Sequence, residues 1–538
     1  MNKKIMKLPD SVANRIAAGE VIERPASMLK ELLENAIDSK ADNIEVSTQE
    51  SGIKSMIVED NGEGIKFEEL PLAISHHATS KIHSIEDLDS INTLGFRGEA
   101  LASISDVTNL EIISKNANEN NGGKIIVEGG KIIEHKPAAS SKGTKIIAKN
   151  LFFNIPARYK FLKHTSREFF LMKEVFDMEA LVQPNISMRL TNNGRLAISY
   201  AKAKSLKDRI ENYLNDKDIF SNLIEINIEK ENISIYGLFS NSKISQSIKK
   251  NNFIFLNNRP IENRAISFAI KNAYSNAIPK ERYPFYFLYI NIDCNKVDVN
   301  VHPSQKEVRI KNERETSAMI YNEIFNKINE GAYFSSVNIE TDIESTPIFK
   351  IQNDENYANQ YNNYNNTKEY YNSYQIKEFS KFAPERDLRK FGEYTKAVGQ
   401  IFSSYIVAER GEEMYIIDQH AAYERLNYER IYKTLTKGKL EYEKLLVPCE
   451  IEYRDYEIDI LNSHKETIEA IGIKFETNSK NSIIIEEVPI YMPKNQKIEK
   501  MIKDILDIYI LKGENNSLEK LIKHTCSSIS CKYSPKSG

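Results

Sequence analysis

Between positions 11 and 39, apolar residues recur at intervals of three and four, and the pattern predicts a helix. Within it, SMLKELLENAID places Leu29, Leu32, Leu33 and Ala36 along one side. The period then changes. KSMIVED, residues 54–60, reads as a strand running into a glycine turn, and short apolar runs at 110–114, 124–128 and 144–148 read as further strands. Helical and strand periods mixed in this way predict an α/β sandwich, a mixed layer fold, for residues 1–204.

A second pattern occupies residues 205–332. INIEKENISIYGLF (226–239) reads as a hairpin turning at Glu-Asn. FIFLNNRPI and FYFLYINID are strand signals on either side of the helix-like AISFAIKNAYSNAI, and an α+β domain is expected. Residues 333–392 break the pattern. NDENYANQYNNYNNTKEYYNSY (353–374) is dominated by Asn and Tyr and cannot bury enough apolar surface to offset its ordering entropy, so a disordered linker is expected. Order returns in residues 393–538, where SSYIVAER and EMYIIDQ read as a hairpin and helices alternate with strands after 455. No internal repeat is visible. The fold class expected overall is α+β.

Composition narrows the partners more than the fold. With 538 residues the chain exceeds one hydrophobic core, and about three or four domains are expected. A net charge of −3 means that a nucleic-acid partner must be held by a local basic patch. Four cysteines are too few for a disulfide scaffold, so a reducing compartment is the default. The first residues lack the apolar stretch of a signal peptide, and no run reaches the roughly 18 apolar residues of a membrane span. A cytoplasmic, nucleoid-associated protein without membrane contact is expected.

No GxxxxGK[ST] loop occurs, which excludes a P-loop. Four separated segments offer another nucleotide site. On the first helix Glu31, Asn35 and Asp38 follow i, i+4, i+7 and form a polar stripe opposite the leucines, which alone would be read as a solvated face. DNGEG (60–64) ends a strand in Asp60, and Gly62 and Gly64 let backbone approach a ligand closely, although such a segment is often a plain turn. HATSK (77–81) is followed by LGFRGEAL (94–101), whose glycines precede a helical run and can expose backbone N–H groups to phosphate. The last segment is Gly143-Thr144, leading into a strand.

Together these segments resemble the Bergerat-type (GHKL) ATPases, the group that includes gyrase-like, Hsp90-like, histidine-kinase and MutL proteins. Their wording is similar to the MutL family of mismatch-repair proteins: IAAGEVIERPASMLKELLENAIDS, DNGEGI, HATSKI, LGFRGEALASIS, GTKI and LFFNIPAR. The resemblance spans residues 5 to about 310 and continues more weakly from 393 to the end. It implies an N-terminal Bergerat-type ATPase domain, a ribosomal-protein-like transducer domain, a flexible linker and a C-terminal dimerisation domain, with ATP and Mg2+ as cofactors.

Residue by residue, the resemblance implies Glu31 as the general base that orients water on the γ-phosphate, and Asn35 as a Mg2+ ligand. Asp38 joins the nucleotide-binding set. Asp60 would accept a hydrogen bond from the adenine amino group, with Thr144 in support and Gly62 and Gly64 leaving space for the base. Thr79, Ser80 and Lys81, with the lid Gly95, Phe96, Arg97, Gly98, Glu99, Ala100 and Leu101, would wrap the phosphates. An internal salt bridge is the alternative for Arg97 and Glu99. VNVHPSQKEVRI (299–310) resembles the transducer loop whose lysine reaches the γ-phosphate. Gln305 stands at the usual lysine position and Lys306 follows it, so Lys306 is the expected sensor, although a one-residue shift on a strand turns a side chain to the other face.

The resemblance further implies a homodimer that closes around DNA on binding ATP and is recruited by a mismatch-recognition protein of the MutS type. Arg264, after FLNNRPI, matches a basic DNA-contact position; the ARYKFLKH run (157–164) is the weaker alternative. DQHAAYERLNYE (418–429) is similar to the DQHA(x)2E(x)4E motif of endonuclease-type members. His420 and Glu424, i and i+4 at a helix start, can face one divalent metal with Asp418 beside them and Glu429 further along, although an isolated HxxxE is usually a surface pair. The motif implies Zn2+ or Mn2+ at that site. ISCKYSPKSG (529–538) resembles the family's Cys-containing segment, which makes Cys531 the ligand and Cys526 a small buried hydrophobe. A further Cys-Pro-His-Gly-Arg segment of the family is not reached, so the expectation is either that residues 393–538 are a truncated unit or that the metal site is incomplete. At EKLLVP (443–448), where the family docks on the processivity clamp, Glu443 replaces the customary glutamine and argues against that contact.

Two functions follow as expectations. One is an ATP-driven mismatch-repair clamp with nicking activity. The other is an ATP-gated scaffold that binds DNA and protein without effective hydrolysis or nicking. The GFRGEAL and DQHA segments argue against a third, a topoisomerase subunit.

Overall fold

A computed structural model describes residues 18–19, 21–81, 94–95, 98–230, 232–275, 277–278, 282–293, 297–298, 308–329, 396–401, 405–411, 413–436, 440–478, 481–492, 498–512 and 518–533. The expected linker, 333–392, lies outside them. No helix among the described residues is long and apolar enough to cross a membrane.

Helix α1 runs from Pro25 to Asp38. The helix expected over 11–39 is therefore interrupted: residues 18–19 and 21 are helical, 22–24 are not, and 11–17 lie outside the described residues. Pro25 is the reason. Its ring fixes a helical φ at the first position and forces the residue before it out of the α region, and Arg24 is extended at φ −162°. Leu29, Leu32, Leu33 and Ala36 are all buried, as their spacing predicts.

Behind α1 stands an eight-stranded sheet of β1 (Asn43–Gln49), β2 (Ser55–Asp60), β3 (Asn109–Lys115), β4 (Gly122–Glu128), β5 (Lys131–Ala138), β6 (Gly143–Lys149), β7 (Ser187–Asn192) and β8 (Arg195–Tyr200). Its order is β5-β4-β3-β6-β2-β1-β7-β8. The apolar runs at 110–114, 124–128 and 144–148 are β3, β4 and β6. β1, β3 and β4 bury alternate residues, as strands with one covered face do. β2 and β6 pair antiparallel with Asp60 opposite Thr144, so two expected site residues meet at one end of the sheet. Two more helices complete the layer, α2 (Ala100–Val107) and α3 (Thr165–Val182). α3 packs on α1 and buries Phe169, Met172 and Phe176, but also Glu168, Asp177 and Glu179.

The second domain adds α4 (Leu206–Leu214) and a five-stranded sheet. Its strands are β9 (Leu223–Lys230), β10 (Ile233–Ser240), β11 (Asn252–Leu256), β12 (Arg259–Pro260) and β13 (Tyr286–Ile292), in the order β12-β11-β13-β10-β9. β9 and β10 pair antiparallel as the expected hairpin, with Lys230 opposite Ile233. The parallel pair β11 and β13 is linked through α5 (Arg264–Ala273), and α6 (Glu313–Asn329) packs on α5. α5 is shorter than its apolar pattern suggests, because Tyr274 follows it into the core and donates its hydroxyl to the Ser240 carbonyl. The seam between the domains is hydrogen-bonded. Arg209, fully buried, donates to the carbonyls of Gln183 (3.1 Å), Pro184 (2.9 Å) and Ile186 (2.6 Å), and the Tyr289 hydroxyl donates to that of Leu181 at 3.0 Å.

In the C-terminal region β14 (Lys396–Ile401), β15 (Tyr405–Arg410) and β16 (Glu413–Asp418) form an antiparallel sheet that runs into α7 (Gln419–Thr436). A second sheet pairs β17 (Tyr442–Glu452), β18 (Glu476–Asn478) and β19 (Ser482–Pro489) in the order β17-β19-β18. Its core is Ile451, Ile483 and Ile485, with Leu461 from α8 (Asp455–Ser463), Leu506 from α9 (Ile498–Lys512) and Ile529 from α10 (Leu518–Tyr533).

Candidate nucleotide site and associated surfaces

Asp38 ties the helical stripe to both parts of the third segment, HATSK and LGFRGEAL. Its Oδ1 accepts the Leu94 N–H at 3.0 Å, and its Oδ2 accepts the Gly95 N–H at 3.1 Å and the Lys81 ammonium at 2.6 Å. Lys81 also donates to Asn35 Oδ1 at 2.9 Å. The helical stripe, the HATSK segment and the glycine-rich segment thus converge on one turn of α1. Glu31 lies one turn before Asn35 and is half-buried.

Asp60 closes the other end. Its Oδ1 accepts the Gly62 N–H at 2.8 Å and the Ser39 hydroxyl at 3.3 Å, and the carboxyl also accepts the Thr144 N–H. Burial nevertheless pushes its pKa above the usual carboxylate range. Thr144 Oγ1 lies 2.9 Å from Ser114 Oγ, so a buried hydroxyl pair backs this corner. The two glycines serve packing. A Cβ on Gly62 would stand 1.9 Å from Ser39 Oγ, and one on Gly64, whose φ is +72°, would stand 2.1 Å from the Lys115 carbonyl oxygen. Their missing side chains let the loop lie on the ends of α1 and β3, a requirement that exists without any base.

Around the phosphate-side segments, Thr79 Oγ1 accepts the Lys81 N–H at 3.2 Å, and Ser80 is exposed. Glu99 caps α2 through its carbonyl, which accepts the Ser103 N–H at 2.8 Å, and its carboxylate lies 3.1 Å from His77 Nδ1. The alternative pairing of Glu99 with Arg97 lies outside the described residues. Gly98, Ala100 and Leu101 are half-buried beside it. Phe96, Arg97, Gln305 and Lys306 lie outside the described residues.

Sequence reading missed a buried charge cluster on the reverse of α1. Lys30 Nζ lies 3.0 Å from Glu34 Oε1, and Glu179 of α3 faces that pair. Glu179 is 1% exposed and its Oε2 has no hydrogen-bond partner. Burial and then the Glu34 carboxylate push its pKa to about 8, against a smaller opposing pull from Lys30 and Arg259. Also missed was the outward stripe of α5, where Arg264, Phe268 and Lys271 are exposed at i, i+4, i+7. Asn263 begins this helix, its side chain accepting the Ile266 N–H at 2.9 Å, so the stripe stands on a fixed element. The i, i+4, i+7 spacing is visible in the sequence, where the resemblance points to Arg264 alone.

The DQHA segment behaves differently. Asp418 Oδ1 accepts the N–H groups of His420 (2.9 Å) and Ala421 (3.1 Å), so it serves as a helix cap. His420 Nε2 lies 3.2 Å from Glu424 Oε1, and Glu429 pairs with Arg425. Among the described residues no group of three His, Cys, Asp or Glu side chains is arranged to hold a metal. Cys531 lies on α10. Cys526 is buried, and burial pushes its thiol pKa to about 12, in keeping with a small core hydrophobe. Glu443 is exposed on β17, with Leu446 and Val447 exposed close by.

Three families match consecutive parts of the chain. Residues 23–150 match the histidine kinase-, DNA gyrase B- and HSP90-like ATPases, 212–329 the C-terminal domain of DNA mismatch repair proteins, and 398–538 the MutL C-terminal dimerisation domain. The DNA mismatch repair protein MutL of Caldanaerobacter subterraneus subsp. tengcongensis is 34% identical over 509 residues, covering 92% of this chain and 86% of that protein. That of Listeria monocytogenes serotype 4a is 34% identical over 561 residues, covering 100% of this chain and 92% of that protein. Among solved structures, the N-terminal domain of a DNA repair protein superposes with a TM-score of 0.52 at 24% identity, covering 59% of this chain and 98% of that one.

Proposed function

The chain belongs to the MutL family of DNA mismatch repair proteins, and from that premise we propose that its α1 site hydrolyses ATP to drive a dimeric clamp on DNA. The observation that carries the reading is the turn of α1 that aligns Glu31, Asn35 and Asp38 with Lys81 and the Leu94–Gly95 N–H groups. Glu31, half-buried, is the general base for the attacking water. Asn35 suits Mg2+, because its Oδ1 is a hard oxygen already engaged by a cation, the Lys81 ammonium. When bound, Mg2+ supplies charge neutralisation across the phosphate oxygens. Asp60 accepts from the adenine amino group and Thr144 holds it. Thr79, Ser80, Lys81, Gly95, Phe96, Arg97, Gly98, Glu99, Ala100 and Leu101 line the phosphates, and Lys306 senses the γ-phosphate. Glu31→Ala should leave binding of a non-hydrolysable ATP analogue intact and lower kcat by roughly 100-fold or more. Hydrolysis at the wild-type rate would remove the assignment.

The dimerisation domain makes the protein a homodimer in this reading. Met414 and Ile416, on one face of β16, are 70% and 62% exposed, and Val398 on β14 is 60% exposed, which supports an apolar contact between copies. DNA would lie on the basic and aromatic stripe of α5. A MutS-type mismatch-recognition protein would recruit the dimer in the cytoplasm, at the nucleoid. Asp418 favours a second reading for the C-terminal motif, a scaffold that holds DNA without cutting it, because its Oδ1 serves the helix terminus. Mn2+- or Zn2+-dependent plasmid nicking, abolished by His420→Ala, would restore Asp418, His420, Glu424 and Cys531 as an endonuclease site.

A further inference from the structure

Asn35 Oδ1, the oxygen assigned above to Mg2+, accepts a hydrogen bond from Lys81 at 2.9 Å, and the same ammonium lies 2.6 Å from Asp38 Oδ2. The pair is partly buried, with 20% of the Lys81 side chain and 9% of Asp38 exposed. Gly95 lies over it: a Cβ there would stand 3.1 Å from Lys81 Nζ and 3.7 Å from Asn35 Oδ1. Asp38 is held in turn by two backbone N–H groups, so the ammonium sits on a fixed oxygen pair. A lysine ammonium is a compact point charge with three donors and imitates a hydrated metal ion better than a planar guanidinium does.

A divalent ion held by the same Asn35 Oδ1 would be a close neighbour of this ammonium, and like charges repel strongly in a partly desolvated site. We propose that Lys81 is an exchangeable cation, which holds Asn35 Oδ1 until a triphosphate draws the ammonium onto its own oxygens, so that nucleotide and divalent metal enter only together. The exchange is balanced. The lysine trades a carboxylate and an amide oxygen for phosphate oxygens, Asn35 trades an ammonium for the metal, and Asp38 keeps its two backbone donors. The idea rests on the nucleotide reading of α1 and adds an order of events to it.

The test titrates Mn2+, as a probe for Mg2+, into the full chain without nucleotide and follows the free-ion signal by electron paramagnetic resonance. The double variant Asn35→Ala, Lys81→Met supplies the background from any other site, the DQHA segment included. Wild type should match that background. Lys81→Met should gain one Mn2+ site at least about tenfold tighter than any Asn35-dependent binding in wild type, while Lys81→Arg, which keeps the charge, should stay at background. Wild type that binds Mn2+ through Asn35 as tightly as Lys81→Met overturns the proposal, and so does a folded Lys81→Met protein with no added site. Lys81→Gln repeats the measurement if methionine perturbs the fold, with circular dichroism as the check. ATP-analogue binding to wild type is scored separately: its absence removes the nucleotide reading, whereas the Mn2+ titration judges the exchange alone.

Discussion

Replacing Glu179 with glutamine removes a titrating proton from the α1–α3 interface while keeping the side chain's volume. In the folded protein this carboxyl titrates at about 8 instead of 4.5, because burial and the neighbouring Glu34 disfavour its charged form. Below pH 4.5 it is protonated in both the folded and the unfolded chain, and pH has no leverage through it. Between pH 4.5 and 8 the folded chain keeps a proton that the unfolded chain has released, so stability falls as pH rises. Above that window both are ionised and the loss is complete. At roughly 1.4 kcal/mol per pH unit, wild type loses about 3 kcal/mol by pH 7 and about 1 more by pH 8.

The glutamine amide has no charge to desolvate. It does place polar atoms where Glu179 Oε2 has no hydrogen-bond partner, at a pH-independent cost of about 1–2 kcal/mol. Glu179→Gln should therefore be slightly less stable than wild type near pH 5 and more stable by about 2 kcal/mol at pH 8. Urea unfolding followed by far-ultraviolet circular dichroism, run from pH 5 to 9 on both proteins, reads this crossing. Groups distant from this cluster titrate alike in both proteins and cancel in the difference, which therefore reports on Glu179 and its immediate neighbours Glu34 and Lys30. A difference that stays constant across the range would mean that Glu179 is ionised in the fold and that Lys30 and Arg259 outweigh its burial.

Gly64→Ala should destabilise the protein by roughly 2–4 kcal/mol, because a left-handed backbone and a contact with the Lys115 carbonyl oppose it together; thermal unfolding measures the loss. Replacing Arg264 and Lys271 with glutamate should weaken DNA binding and lower the slope of log affinity against log salt by about 0.9 for each lost phosphate contact. Phe268→Ala, between them, should leave that slope unchanged and weaken single-stranded DNA binding by about 1–3 kcal/mol, the worth of one stacked base. Fluorescence anisotropy across a salt series separates the two effects.

Legibility in the sequence followed contiguity. Glu31, Asn35 and Asp38 share a helix, so their spacing alone aligns them, whereas Asp60 meets Thr144 across a distant strand pair, a contact that only the resemblance implies. The break before Pro25 was written in the sequence as well, but the apolar period on either side masked it. What stayed hidden depends on which faces meet in space. Nothing in the spacing of Glu34 and Glu179 marks either residue; only the packing of α3 on α1 brings the two carboxyls together in the interior. Gly62 and Gly64, which the resemblance implies leave space for the base, also make close contacts with Ser39 and Lys115, 23 and 51 positions away from them, that the sequence does not reveal. The DQHA segment is legible as a motif; the capping role of Asp418 depends on backbone geometry at the start of α7, which the motif does not spell out.

These observations meet in α1, which is polar toward the proposed nucleotide and charged toward the core. Its outward stripe holds Lys81 and the Leu94–Gly95 backbone, its inward Glu34 holds Lys30 beside Glu179, and Ser39 at its end holds the Asp60 loop. A shift of this one helix would alter all three sets of contacts together. The set facing α3 is also the one with an unsatisfied polar atom, and interior packing does not yield smoothly to strain. α3 in turn ends at the seam where Tyr289 and Arg209 of the second domain bond to the carbonyls of Leu181 and Gln183. A change at the nucleotide thus has a short, densely packed route to the second domain: along α1, across the buried carboxyls and down α3. Double-mutant cycles between Glu34 and Arg209 would measure whether energy travels along it, and strictly additive effects on nucleotide affinity would mean that it does not.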